Sequence, residues 1–247
     1  MAAMDEFREE REKIKSQPLK KRLAYFWCYY KWFAIIGVIL IVAVVSTVYG
    51  ILTRTTSALY GVVVNSITLG DGDAFMQDFT DYAELDIKKY HAEINASLII
   101  GSEVDETTLN SSQFIMVYMA AQDLDFAVME PDTFGRFTYN DIYLDLRECF
   151  SAEELEAMSD KLYYMDKAVL DMINEMTAAE ESTENIALPD PFSPELMEEP
   201  VPVGINISGC SKFMDVYFYE GGTAYLGITA NSPHVDMVKT FLAFLFD

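Results

Sequence analysis

From Phe33 to Leu52 the chain reads FAIIGVILIVAVVSTVYGIL, twenty positions without a charge. A helix rises about 1.5 Å per residue, so such a run reaches across a hydrocarbon core of roughly 30 Å. The alternative is a buried core helix, but core helices seldom stay apolar on every face for so long. The pattern predicts one transmembrane helix over 33–52, between a tail (1–32) and a large domain (55–247).

Past the span the apolar positions come in shorter groups. Leu59 to Asn65 is β-branched and reads as a buried strand. Asp71 to Leu85 places Phe75, Phe79 and Tyr82 at helical spacing, with Asp71 or Asp73 as cap. Ala92 to Ile100 is a second strand. Asn110 with Gln113 fits a capping box and opens a helix that Asp123-Leu-Asp125 ends. Phe126 to Met129 is a third strand, closed by Glu130-Pro131. Asp141 to Leu146 is a strand or an extended connection. Ser151 with Glu154 is a second capping box, starting a helix through about Lys161, and Leu162 to Met165 is another strand.

Strand, helix, strand, helix, strand is the rhythm of an α/β domain with a mostly parallel sheet and flanking helices. From Ala168 to Ser211 there is no Lys or Arg, and 177–200 is rich in Glu, Ser and Pro. That stretch reads as a solvent-exposed, mobile excursion. Val201 to Ile207 returns to strand character. Tyr217 to Tyr219 and Ala224 to Thr229 suit a further strand, or a hairpin turning at Gly221-Gly222. Ser232 as cap and Pro233 at the first position start a last helix, with Val235, Val238, Phe241, Leu242 and Leu245 as its apolar stripe.

Charge orients the chain. Residues 1–31 hold eight Lys/Arg and five Asp/Glu, whereas 55–247 holds eight and thirty-five, a net charge of about −27. The basic residues before the span (Arg8, Arg11, Lys13, Lys15, Lys20, Lys21, Arg22, Lys31) place the tail in the cytoplasm and the acidic domain outside. Tyr25, Phe26, Trp27, Tyr29, Tyr30 and Trp32 suit an interfacial belt. The apolar run exceeds a usual signal-peptide core, and no clear small-x-small site follows it, so an uncleaved signal anchor in the cell membrane is expected. A surface this acidic repels nucleic acid. Cys149 and Cys210 both lie outside, where a bridge is permitted, although two buried free thiols fit better.

Catalytic signatures are missing. His91 and His234 stand far apart and read as surface residues; no zinc pattern, P-loop, dinucleotide fingerprint or Gly-x-Ser-x-Gly occurs. Asp71-Gly-Asp73 resembles the start of a calcium loop but lacks the later ligands and fits a helix-capping turn. Asp123/Asp125 and Asp141/Asp145 could serve as acid and base, yet nothing sets them apart from solvated faces. No metal, no cofactor and no enzymatic activity are expected.

For binding, position guides better than residue type, because ligands of open α/β sheets sit beyond the carboxyl ends of strands. Those ends supply Asn65, Ser66, Ser102, Glu130, Asp132, Ser208 and Ser211 as candidates, with Tyr139 or Tyr60 as a stacking face.

Three longer segments carry a resemblance: AAQDLDFAVME (120–130), YLDLRECFSAEEL (143–155) and YLGITANSPHVDMVKTFLAFLF (225–246). Together they resemble the extracellular solute-binding proteins of bacterial uptake systems, with the type 2 periplasmic-binding fold. In that family a "gDlDvv"-like strand follows a helix, and a "giaans" strand precedes a helix that begins at a Pro. KKRLAYFWCYYKW (20–32) is similar to the start of single-span proteins of Gram-positive gut bacteria. The resemblance implies non-catalytic binding of a small solute or of an envelope protein. The chain departs from it in two ways: the domain is shorter than a two-lobed binding protein, and a helix replaces the cleaved signal or lipid anchor. A structural or accessory subunit of a transporter or envelope complex, with no small-molecule site, is the alternative.

Overall fold

The computed structural model describes residues 19–52, 55–183 and 186–247. The expected basic positions Arg8, Arg11, Lys13, Lys15 and Arg54, and residues 184–185 of the acidic excursion, lie outside the described residues. The chain divides into two units, Met1–Arg54 and Thr55–Asp247.

The first unit contains helix α1 (Leu19–Leu52). Its segment Lys31–Gly50 is long and apolar enough to cross a membrane, and none of it is buried. The helix does not begin at the edge of the apolar run but extends back through the basic and aromatic segment. Neither Pro nor Gly interrupts the sequence from Leu19 to Ile36, so nothing there stops helical propagation.

In the second unit a six-stranded sheet lies between two layers of helices, in the order β3-β1-β4-β8-β6-β5. Its strands are β1 (Thr56–Val64), β3 (Tyr90–Leu98), β4 (Phe126–Met129), β5 (Leu162–Asp166), β6 (Pro200–Asn206) and β8 (Tyr225–Ile228). β1 pairs in parallel with β3 and β4, while β8 is antiparallel to β4 and β6, and β5 is antiparallel to β6. Four strands (β1, β3, β4, β6) therefore point one way and two the other: the sheet is mixed. A separate ribbon joins β2 (Ile67–Thr68) to β7 (Tyr217–Phe218). The helices are α2 (Gly72–Tyr82), α3 (Glu106–Ala120), α4 (Pro131–Thr138), α5 (Ala152–Ala157), α6 (Lys167–Ala178), α7 (Ser211–Met214) and α8 (Val235–Phe246).

The pleat sends alternate residues of each strand to opposite faces. Leu59 and Val63 of β1 meet Phe75 and Phe79 of α2 and Phe241 of α8, whereas Val62 and Val64 face a second core with Ile115 of α3 and Phe134 of α4. In the first core the Phe241 ring stacks on Phe126 at 4.9 Å and meets Phe79 edge-on at 5.2 Å. Burial of rings on this scale, with offset and edge-to-face contacts, dominates the energetics of such a core.

Several local expectations change. The cap of α3 is Asp105, not Asn110: its carboxylate accepts from Thr108 N at 2.7 Å, and Asn110 lies inside the helix. The helix ends where Gln122 takes a left-handed conformation and Asp123 N donates back to Tyr118 O. The last helix starts at Val235, so Ser232 and Pro233 precede it, and the cap residue His234 makes no side-chain capping bond. Gly221-Gly222 turns no hairpin, because β7 pairs with β2 while β8 enters the main sheet. Within 141–146 only 142–145 is an extended connection, with one bridge, Tyr143 to Thr229; Asp141 is left-handed and Leu146 opens a 3-10 turn (Leu146–Glu148).

The acidic excursion is not a free loop. It begins as the end of α6, which stops where Glu180 turns left-handed and Glu181 N reaches Met176 O. Further on, Pro191 O accepts from Tyr164 N, Phe192 meets the Tyr163 ring edge-on, and Met197 is buried. The buried Asp166 carboxylate accepts from Glu198 N at 2.9 Å and Glu199 N at 3.0 Å, and so anchors the return to β6. Composition alone favoured solvation; five anchoring points override it.

Gly61 lies directly under the Phe126 ring, and a Cβ there would come within 2.1 Å of it. Gly61→Ala is expected to destabilise the domain by about 1–3 kcal/mol through overpacking. Gly221→Ala, which would meet nothing within 4 Å, should leave stability unchanged. Urea unfolding of both variants measures the difference.

Candidate functional site

At the carboxyl edge of the parallel strands, two candidates come together, Asn65 and Glu130. Asn65 ends β1 in a left-handed conformation, φ 58°, which Asn tolerates better than most residues. The turn aims its amide across the gap toward the segment that follows β3. There Oδ1 accepts from Ile100 N and Nδ2 donates to Ile100 O, both at 2.8 Å, so the side chain acts as one more rung of the sheet. The same Nδ2 donates to Glu130 Oε1 at 2.8 Å.

Glu130 follows β4 and precedes α4. Its Oε1 also accepts a short bond from the Thr133 hydroxyl. Arg136, one turn further, donates to Thr133 Oγ1 at 3.0 Å and to Gly101 O at 2.9 Å. Thus Asn65, Glu130, Thr133 and Arg136 tie the ends of three neighbouring chain segments. Two buried atoms here have no hydrogen-bond partner among the described residues: Glu130 Oε2 and Ser66 Oγ. Leaving a carboxylate oxygen buried and unpaired is costly, and such groups call for a donor. Behind the carboxylate stand two buried phenols. Burial, with Glu130 as a further contributor, holds Tyr143 and Tyr219 well above the usual tyrosine range, so both stay neutral donors.

The other candidates are placed differently. Ser102 and Asp132 are exposed on the same edge, and neither joins the network. Ser208 lies beyond β6 on the far side of β8, with Tyr225 paired to both Met129 and Asn206. Its hydroxyl is spent on Ala224 N at 3.0 Å. Ser211 is the exposed first residue of the one-turn helix α7. Two inter-strand steps of about 4.8 Å separate that end from Glu130. Tyr139 is at the opposite edge, its hydroxyl 3.4 Å from Asp166 N, because α4 runs back along the sheet for eight residues. Tyr60 stacks on Tyr118 at 5.5 Å within the domain.

A second constellation lies at that opposite edge, and sequence reasoning missed it. The Asp125 carboxylate is buried at the start of β4. It accepts from Tyr60 N at 2.8 Å, from Ser232 Oγ at 2.7 Å and faces His234 Nδ1 at 3.1 Å. His234 is therefore not a free surface residue. Beside it is a cavity of about 480 Å³ lined by Ser57, Leu85, Tyr90, His234 and Met237. The Ser232 hydroxyl donates to the carboxylate and not to the imidazole, so the three do not form the relay of a serine hydrolase, in which hydroxyl meets ring nitrogen. Of the pair Asp123/Asp125 only the second is buried. The continuous apolar run that follows hinted at this, since Asp125 directly precedes Phe126–Met129, all four of them buried.

Elsewhere, Asp71 Oδ1 accepts from Asp73 N and Ala74 N, which makes Asp71-Gly-Asp73 the cap of α2. Cys149 and Cys210 are free thiols. Burial pushes each up to about 11. Compared with models of protein families, the chain matches none, and no characterised protein matches it significantly either.

Asp125→Ala would strand Tyr60 N and the Ser232 hydroxyl. A loss of about 1–3 kcal/mol is expected, against less than about 0.5 for exposed Asp123→Ala, both read from urea midpoints. The thiols give a pH dependence. A thiol held neutral by the fold stabilises it fully below the unfolded value near 9, and that contribution is lost as pH rises from there toward 11. Stability should therefore decline above pH 9, and replacing both Cys149 and Cys210 by Ala should flatten the decline.

Proposed function

We propose that this chain is a membrane-anchored binding protein. Helix α1 holds it in the cell membrane with the N-terminus in the cytoplasm, and the acidic domain works outside, without catalysis. In this reading the domain corresponds to a reduced, single-unit relative of extracellular solute-binding proteins. Its ligand approaches the carboxyl edge of β1 and β4 and brings a hydrogen-bond donor, an ammonium or amide N–H, to Glu130.

One observation carries the reading: Glu130 Oε2 is buried and unpaired beside Asn65, with the unpaired Ser66 Oγ close in sequence. An oxygen in that state gains more from a donor than an exposed carboxylate would, because water does not compete for it. The location agrees with where open α/β sheets bind small molecules.

A second reading, the accessory subunit, draws on the β2–β7 ribbon. Ile67 (54 % exposed) pairs with Phe218 (38 %), and Leu69 (65 %) follows. Apolar side chains this exposed on one ribbon suit a protein partner better than water.

The test is thermal unfolding of residues 55–247, which have their own two cores, against amines, amino acids, peptides and sugars. A ligand at 100 times its Kd adds about 2.7 kcal/mol and raises the Tm by several degrees. Amine-bearing ligands should shift the wild type and not Glu130→Gln, which keeps the bonds at Oε1 but turns the free acceptor into a donor. No shift with any class, from a cooperatively folding domain, would favour the accessory subunit.

A further inference from the structure

The main sheet ends at β3. This strand is nine residues long, like β1, and uses one edge to pair with β1. Among the described residues no strand pairs with its outer edge. Soluble proteins seldom leave so long an edge open, because its unpaired N–H and C=O groups are a template for another strand.

Alongside this edge runs a groove of about 460 Å³ between β3 and α2. Met76 and Thr80 of α2 and Ile94 of β3 line it, with Asp73 and Glu93 among its charged positions. The helix bordering it carries Asp73, Asp78 and Asp81 and no Lys or Arg. At the start of β3, Lys89 is paired with Asp86 at 3.2 Å, Lys88 makes no ion pair among the described residues, and His91 is the basic residue in the groove lining. Apolar lining, acidic flanks and an open strand edge lie side by side.

We propose that this groove receives an extended, basic segment of a partner protein, which adds to β3 as a seventh strand. Main-chain hydrogen bonds to the β3 edge would supply affinity. Alternate side chains of the segment would enter the groove on the α2 face, beside Asp73, and the Lys or Arg residues between them would meet Glu93 on the other face of the sheet. Charge decides against a second copy as the occupant. Each domain carries about −27, and two identical acidic edges laid together would repel. The groove is separate from the carboxyl-edge network, so this inference stands or falls independently of Glu130.

The full chain in nanodiscs tests it. The probe is a fluorescent capped nonapeptide, KVKVKVKVK, with two controls: the same peptide N-methylated at two adjacent central amides, and EVEVEVEVE. The expected result is saturable binding of the first peptide, weakened at least tenfold by N-methylation and by the exposed double substitution Asp73→Asn/Glu93→Gln. Hydrogen exchange should slow in residues 90–98. Equal binding of the N-methylated peptide would reduce the effect to net charge and overturn the proposal. So would protection confined to other strands, or no binding of the lysine peptide at all.

Discussion

The Asp125 carboxylate ties together three parts of the chain that are far apart in sequence. Tyr60 belongs to β1, Ser232 and His234 to the segment before α8, and Asp125 itself opens the central strand β4. Its backbone adds two more ties, N–H to Tyr60 O and C=O from Thr229 N. One buried anion thus fixes the register of β1 against β4 and the point where α8 begins. The aromatic core depends on that point, because Phe241 must lie over Phe126 and against Phe79. A buried charge is tolerable only when its acceptors are filled, and here they are.

Asp166 repeats the device on the other side of the sheet. Its carboxylate caps α6 through Ala168 N and holds Glu198 N and Glu199 N. The same side chain that starts a helix therefore closes the loop that follows it. That is how a segment without a single basic residue stays on the domain: backbone donors, not counter-charges, satisfy the acid.

The carboxyl edge is built by the same logic with an amide. Asn65 turns left-handed and spends its side chain on Ile100 and Glu130, which stitches β1 to both of its parallel neighbours beyond the end of their ladders. The contrast with Asp125 is instructive. There every acceptor is occupied and the group reads as structural. At Glu130 one oxygen stays unpaired, and that difference, not the residue type, separates a brace from a candidate binding group.

Much of this was legible in the sequence. Uninterrupted apolar runs mark the apolar part of α1 and the buried strands β1 and β4, partial alternation marks β3, and helical spacing marks α2 and α8, because burial is a local property of spacing. The carboxyl edge is legible as a position, because Asn65 and Glu130 each directly follow a strand-like run. What the spacing could not give was pairing. Whether β7 and β8 form a hairpin, whether Ser208 stands beside Glu130 or two strands away, and whether Asp125 or Asp123 is the buried acid all depend on contacts between residues as far as 109 positions apart. Those are settled when the sheet closes and each buried polar group must find a partner, a constraint that exists only in the tertiary structure.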